Sequence, residues 1–156
     1  MQDIMQYPSL KVASEIARIC RAERIHYNNT KLQKLLYCCY GCCLVAFDAR
    51  ICDEYPKAWQ YGPVFPRVFR YMNKGKDILS PDLTLNAPEF VQVLLRDVVL
   101  TFGQYTAGAL SNWTHEDGSP WAFVVKEMEE PNGTIPDDKI RQYFIAQGII
   151  SPSAQC

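Results

Sequence analysis

The stretch from Thr30 to Phe47, TKLQKLLYCCYGCCLVAF, constrains this chain more than any other. Leu32, Leu35, Leu36, Cys39, Cys42, Cys43 and Ala46 follow an i, i+3, i+4, i+7 series, which predicts an α-helix. Near its middle that helix is apolar on almost every face. It has no side to offer to water, so it belongs at the centre of a bundle. Thr30 and Gln33 have the spacing of a capping box and place the helix start at Thr30. Gly41 lies inside the helix at a cost of about 1 kcal/mol against alanine, a position that marks the close approach of another backbone.

The same helix holds CCYGCC, residues 38–43, with four of the chain's seven cysteines. Cys38/Cys42 and Cys39/Cys43 are i, i+4 pairs, and free cysteine packs as a small hydrophobe. A zinc site would need four convergent ligands, normally from two separated pairs. Here Cys20, His26, Cys52 and His115 are scattered singly. A redox Cys-x-x-Cys opens a helix, where the N-terminus lowers a thiol pKa, whereas Cys39 and Cys42 lie in mid-helix. Core packing is the reading these spacings favour, with no metal and no cofactor.

With 156 residues the chain is most simply one domain over residues 1–150, with a flexible tail at 151–156. At that length about 70% of the unfolded surface is buried on folding, so neither metal nor disulfide is needed to hold a core. A net charge of −1 gives no field for nucleic acid or anionic membrane. The basic run Arg67, Arg70, Lys74, Lys76 reads as a solvated helix face. The first ten residues carry no basic, apolar leader pattern, and the longest apolar run is too short for a bilayer. Side-by-side cysteines are poor disulfide partners and point to a reducing cytoplasm.

The remaining pattern is mainly α. Helices are expected from Pro8 or Ser9 to Arg24, from about Val64–Pro66 to Asn73, and across 87–105 with Phe90, Val91, Leu94, Leu95, Val98 and Val99 inward. Further helices are expected over Thr106–Trp113, from a Ser119 cap with Pro120 and Trp121 to about Glu129, and from Pro136 to Gln147 with Gly148 as the stop. A small two-stranded β element is expected near residues 51–61, Ile51 and Ala58–Tyr61 being its strands and Gly62-Pro63 the closing turn. The expected fold is therefore a compact helical bundle with one small hairpin.

Gly-rich phosphate loops, G-x-S-x-G and H-E-x-x-H are absent. His115, followed by Glu116 and Asp117, is the one candidate for acid–base chemistry, and it would need those carboxylates to converge on it in a pocket.

Four blocks resemble the Panacea domain, the SocA/GepA-like group. KLQKLLYCCYG resembles its K-L-Q-K-L-L-Y-x-x-x-G signature, and AWQYGPVFPRVFRYM its A-W-x-Y-G-P-V-x-P block. LSNWTHEDGSPW resembles L-S-x-x-T-H-x-x-x-P-W, and IPDDKIRQYF resembles I-x-x-x-x-I-x-x-Y-F. The blocks keep family order from Lys31 to Phe144. Where CCYGCC stands, the family commonly has small and aromatic residues.

The resemblance implies a helical antitoxin, often phage- or mobile-element-associated, that neutralises a cognate toxin by direct binding and is not an enzyme. It also implies, as the alternative, an adaptor delivering that toxin to an ATP-dependent protease. A homo-oligomer is left open. Trp59, Tyr61, Gly62, Pro63, Pro66, His115, Pro120 and Trp121 belong to two matched blocks that sit at turns leading into helices. They are the expected partner-binding residues, the competing reading being that Trp59 and Trp121 hold the hairpin onto the bundle.

Overall fold

The computed structural model describes residues 6–152, so residues 153–156 of the expected tail lie outside the described residues; Ser151 and Pro152 are exposed and irregular. Helix α1 spans Ser9–Ala22 and α2 spans Asn29–Phe47. Strands β1 (Lys57–Trp59) and β2 (Gly62–Val64) follow, then α3 (Pro66–Asn73). After a short 3-10 turn at Pro81–Leu83 come α4 (Glu89–Phe102) and α5 (Ala107–Thr114). The one-turn α6 (Pro120–Ala122) runs into a π-helical turn at Phe123–Glu127, and α7 (Asp137–Ala146) closes the fold.

Helix α2 is the axle. Every residue from Lys31 to Val45 is buried, and α1, α3, α4, α5 and α7 all pack on it. The thiols of Cys38, Cys39, Cys42 and Cys43 fill this core, and burial pushes each of them up, Cys42 to about 12. Gly41 admits the ring of Phe144 from α7, which occupies the space a Cβ would take. That ring is wedged between Tyr37 and Trp113, with centroids 5.7 Å from each.

Several local expectations are corrected. The cap of α2 is Asn28, whose side chain accepts from Lys31 N–H at 2.9 Å, rather than Thr30. Gln33 is not available for a capping box because it is buried and turned toward β2. The hairpin lies at 57–64, later in the chain than expected. Ile51 is outside it, and Gly62-Pro63 forms part of the second strand while Gln60-Tyr61 makes the turn. Helix α1 stops before Arg24, which has φ 58°. The helix expected to Glu129 loosens into the π turn after one α turn. Phe90 faces outward, 45% exposed and edge-on to Phe47. Among the described residues no helix is long and apolar enough to cross a membrane.

Candidate functional site

Among the described residues the hairpin is the one element of the fold that is not helical, and four distant parts of the chain hold it. Lys57, Ala58 and Trp59 pair with Val64, Pro63 and Gly62, antiparallel. Two strands alone are marginal in water, so the hairpin depends on outside support. The free edge of β1 is covered: Ala58 N–H donates to Gly133 O, and Asn132 N–H donates to Ala58 O, both at 2.8 Å.

Helix α2 supports β2 with buried polar side chains. Lys34 Nζ donates to Pro63 O at 2.8 Å. Gln33 takes both backbone groups of Phe65, accepting from its N–H at 2.7 Å and donating to its carbonyl at 3.3 Å. Lys31 Nζ, one turn back, donates to Gly103 O at 2.6 Å, at the C-terminus of α4, where a cation is favoured by the helix dipole. Helix α5 supplies Ser111, whose hydroxyl donates to Tyr61 O at 2.8 Å. Trp121 of α6 reaches back with its indole Nε1–H to Trp59 O at 2.5 Å. Gly62 is the tight point. It has φ 118°, and a Cβ there would lie 2.8 Å from Thr114 Oγ1 and 3.1 Å from Lys34 Cε.

The eight expected site residues separate into two groups. Gly62, Pro63, Pro120 and Trp121 are buried and belong to the brace. Trp59, Pro66 and His115 are half-buried, and Tyr61, at the turn, is 70% exposed. Trp59 packs edge-on against Phe69, and His115 packs edge-on against Trp121 with ring centroids 5.2 Å apart. The two matched turns therefore do meet in space, through Trp59, Tyr61, Ser111 and Trp121.

His115 does not gather its neighbouring carboxylates. Its Nδ1 lies 2.5 Å from Ser111 O, the arrangement of an N–H donor to a carbonyl. Glu116 accepts from the Tyr143 hydroxyl at 3.0 Å, and Asp117 pairs with Lys126 at 3.0 Å. Arg67, in the basic run, is engaged by Asp53 at 2.7 Å, while Arg70, Lys74 and Lys76 are exposed on or just after α3.

Lys34, Gln33, Ser111 and Thr114 were not among the expected site residues. A signal for the first was present: a lysine within a helix that has no polar face has no route to solvent and must be buried against an acceptor.

These features define a single-domain helical protein organised around one braced, outward-pointing hairpin. Residues 32–122 match the family profile described as "Antitoxin SocA-like, Panacea domain". The protein Antitoxin SocA of Caulobacter vibrioides (strain NA1000 / CB15N) is 31% identical over 137 residues, which cover 79% of this chain and 73% of that relative. No solved structure gives a significant match. The chain belongs to the SocA-like, Panacea-domain antitoxin family. Gln33, Lys34, the hairpin, Ser111, Thr114 and Trp121 all fall inside the matched residues.

Proposed function

We propose that this protein is an antitoxin that acts by binding its cognate toxin directly, with the hairpin turn as a contact point, and that it performs no chemistry of its own. The observation that carries this reading is Tyr61. It is a large aromatic side chain 70% exposed on a turn whose own backbone carbonyl is held by Ser111. An aromatic side chain on a fixed backbone loses little freedom on binding, which is the property of interface anchors. Trp59 and His115, half-buried on either side of the brace, extend the surface around it. Membership of the antitoxin family supplies the expected kind of partner.

The test is co-expression with the toxin encoded beside it. Wild type should rescue growth and copurify with the toxin. Tyr61→Ala should keep its melting temperature, as exposed positions normally do within about 0.5 kcal/mol, and lose at least tenfold in toxin affinity. Unchanged affinity in Tyr61→Ala, Trp59→Ala and His115→Ala, all folded, would place the toxin elsewhere. The lifetime of the toxin in the same cells separates the two modes of neutralisation. A long-lived, inactive toxin means blocking; a short-lived one means delivery to a protease.

A further inference from the structure

Helix α4 has a second ordered pattern, on the side that faces away from the core. Val91, Leu95, Val98 and Val99 are buried against the bundle. On the opposite face, Val93, Arg96, Asp97 and Leu100 lie at i, i+3, i+4 and i+7 and are all exposed. Val93 is 49% and Leu100 39% exposed, high values for aliphatic side chains on one stripe. None of the hydrogen bonds that hold the hairpin comes from this helix.

The order along that stripe is apolar, basic, acidic, apolar. It is complementary to its own reverse. Place a second α4 antiparallel to the first with Val93 opposite Leu100. Arg96 and Asp97 are equidistant from the midpoint of that pair, so Arg96 then faces Asp97 of the copy. A two-fold axis repeats both contacts, which is the condition for an isologous interface. Other registers do not satisfy it. Setting Val93 opposite Val93 leaves Glu89 facing Asp97, and setting Val93 opposite Asp97 buries a carboxylate against an aliphatic side chain. Asp97 has no ion pair among the described residues; Arg96 is ion-paired with Glu23 at 2.8 Å, and its side chain stays 53% exposed, which leaves the guanidinium's remaining N–H donors open to a second carboxylate.

We propose that α4 is a self-association surface, pairing antiparallel with α4 of a second copy through Val93–Leu100 and Arg96–Asp97 contacts. One helix pair covers less area than the roughly 1,200 Å² of a standard stable interface, so the dimer is weak and depends on concentration. It leaves the hairpin brace untouched and stands independently of where the toxin binds.

Sedimentation equilibrium over the micromolar range should show an average mass rising from 17.9 kDa toward twice that value. Asp97→Arg sets arginine against Arg96 and should hold the protein monomeric. Arg96→Asp combined with Asp97→Arg should restore the dimer. Register is read by cross-linking. In a Cys156→Ser background, Val93→Cys and Leu100→Cys chains mixed under mild oxidation should form a disulfide dimer, and neither variant alone should do so. All four positions are exposed, so the variants keep the fold. A monomer throughout the concentration range, or a dimer with no mixed cross-link and no response to the charge swap, overturns the proposal.

Discussion

The buried ammonium of Lys34 donates to the carbonyl of Pro63 at 2.8 Å, and among the described residues it has no ion pair. Burial pushes this lysine down to about 8 from an ordinary value of 10.5. Between those values the unfolded chain binds a proton that the folded chain has released. Stability therefore rises with pH as Lys34 titrates, by up to about 1.4 kcal/mol for each pH unit. Urea denaturation between pH 8 and 9 should therefore show the stability of wild type relative to Lys34→Met increasing with pH, and a difference that stays flat or shrinks over that range would assign the titration to another group.

The thiols set the opposite limb. Burial raises Cys20 to about 11, Cys42 and Cys52 to about 12, and Cys38, Cys39 and Cys43 well above their ordinary value of 9. Above pH 9 the unfolded chain loses these protons while the folded chain keeps them. Stability contributed by these groups is complete well below pH 9 and is lost as pH climbs through that value toward their folded values. With reductant present, denaturation midpoints should fall steeply above pH 9, in both wild type and Lys34→Met. The six described cysteines are buried, and Cys156 lies outside the described residues. A thiol reagent at pH 8 should therefore label at most one cysteine in the native protein and all seven in denaturant. Fast native labelling of two or more would contradict the packed core.

Gly41→Ala should destabilise the protein despite the better helix propensity of alanine. The added methyl meets the ring of Phe144, which Tyr37 and Trp113 prevent from retreating. Overpacking of this kind costs about 1–3 kcal/mol, more than the roughly 1 kcal/mol that alanine returns. A melting temperature equal to or above wild type would show that α7 moves freely away from α2.

Trp121→Phe removes the indole donor and leaves Trp59 O without that bond. The expected cost is about 1–2 kcal/mol. Its effect should be local, with faster hydrogen exchange at 57–64 and unchanged protection in α2. Equal loosening along the whole chain would mean that Trp121 supports the core rather than the hairpin.

The helical frame was legible in the sequence because it rests on periodicity and on end signals. Ser119 caps α6 at the expected position, Thr106, expected as the first residue of its helix, is the cap of α5, and Gly148 takes φ 70° just after α7. The hairpin lies a few residues later than the sequence suggests because its strands are three residues each, too short for alternation to register. Pro63 also reads as a strand breaker, yet here it lies in a strand whose acceptor side is met by Lys34. The spacing of Gln33 from Thr30 suits a capping box; its real partner is Phe65, 32 positions away, a separation that no local pattern encodes. The pairing of Trp59 with Trp121 was legible only as two turns that ought to meet. Phe90 was expected inward because it continues the apolar run of α4, and burial on that helix begins one residue later, at Val91.

The braces on the hairpin span 29, 32, 50 and 62 positions of chain. Closing such loops is slow compared with forming the helices, since their entropy is lost before any contact repays it. During synthesis, α1 and α2 emerge long before Ser111 and Trp121 exist to hold the turn. The display of Tyr61 is thus a property of the finished chain. A nascent or nicked copy, even with its first helices formed, lacks the rigid turn, and on the proposed reading of Tyr61 as a toxin contact such a copy would not hold the partner.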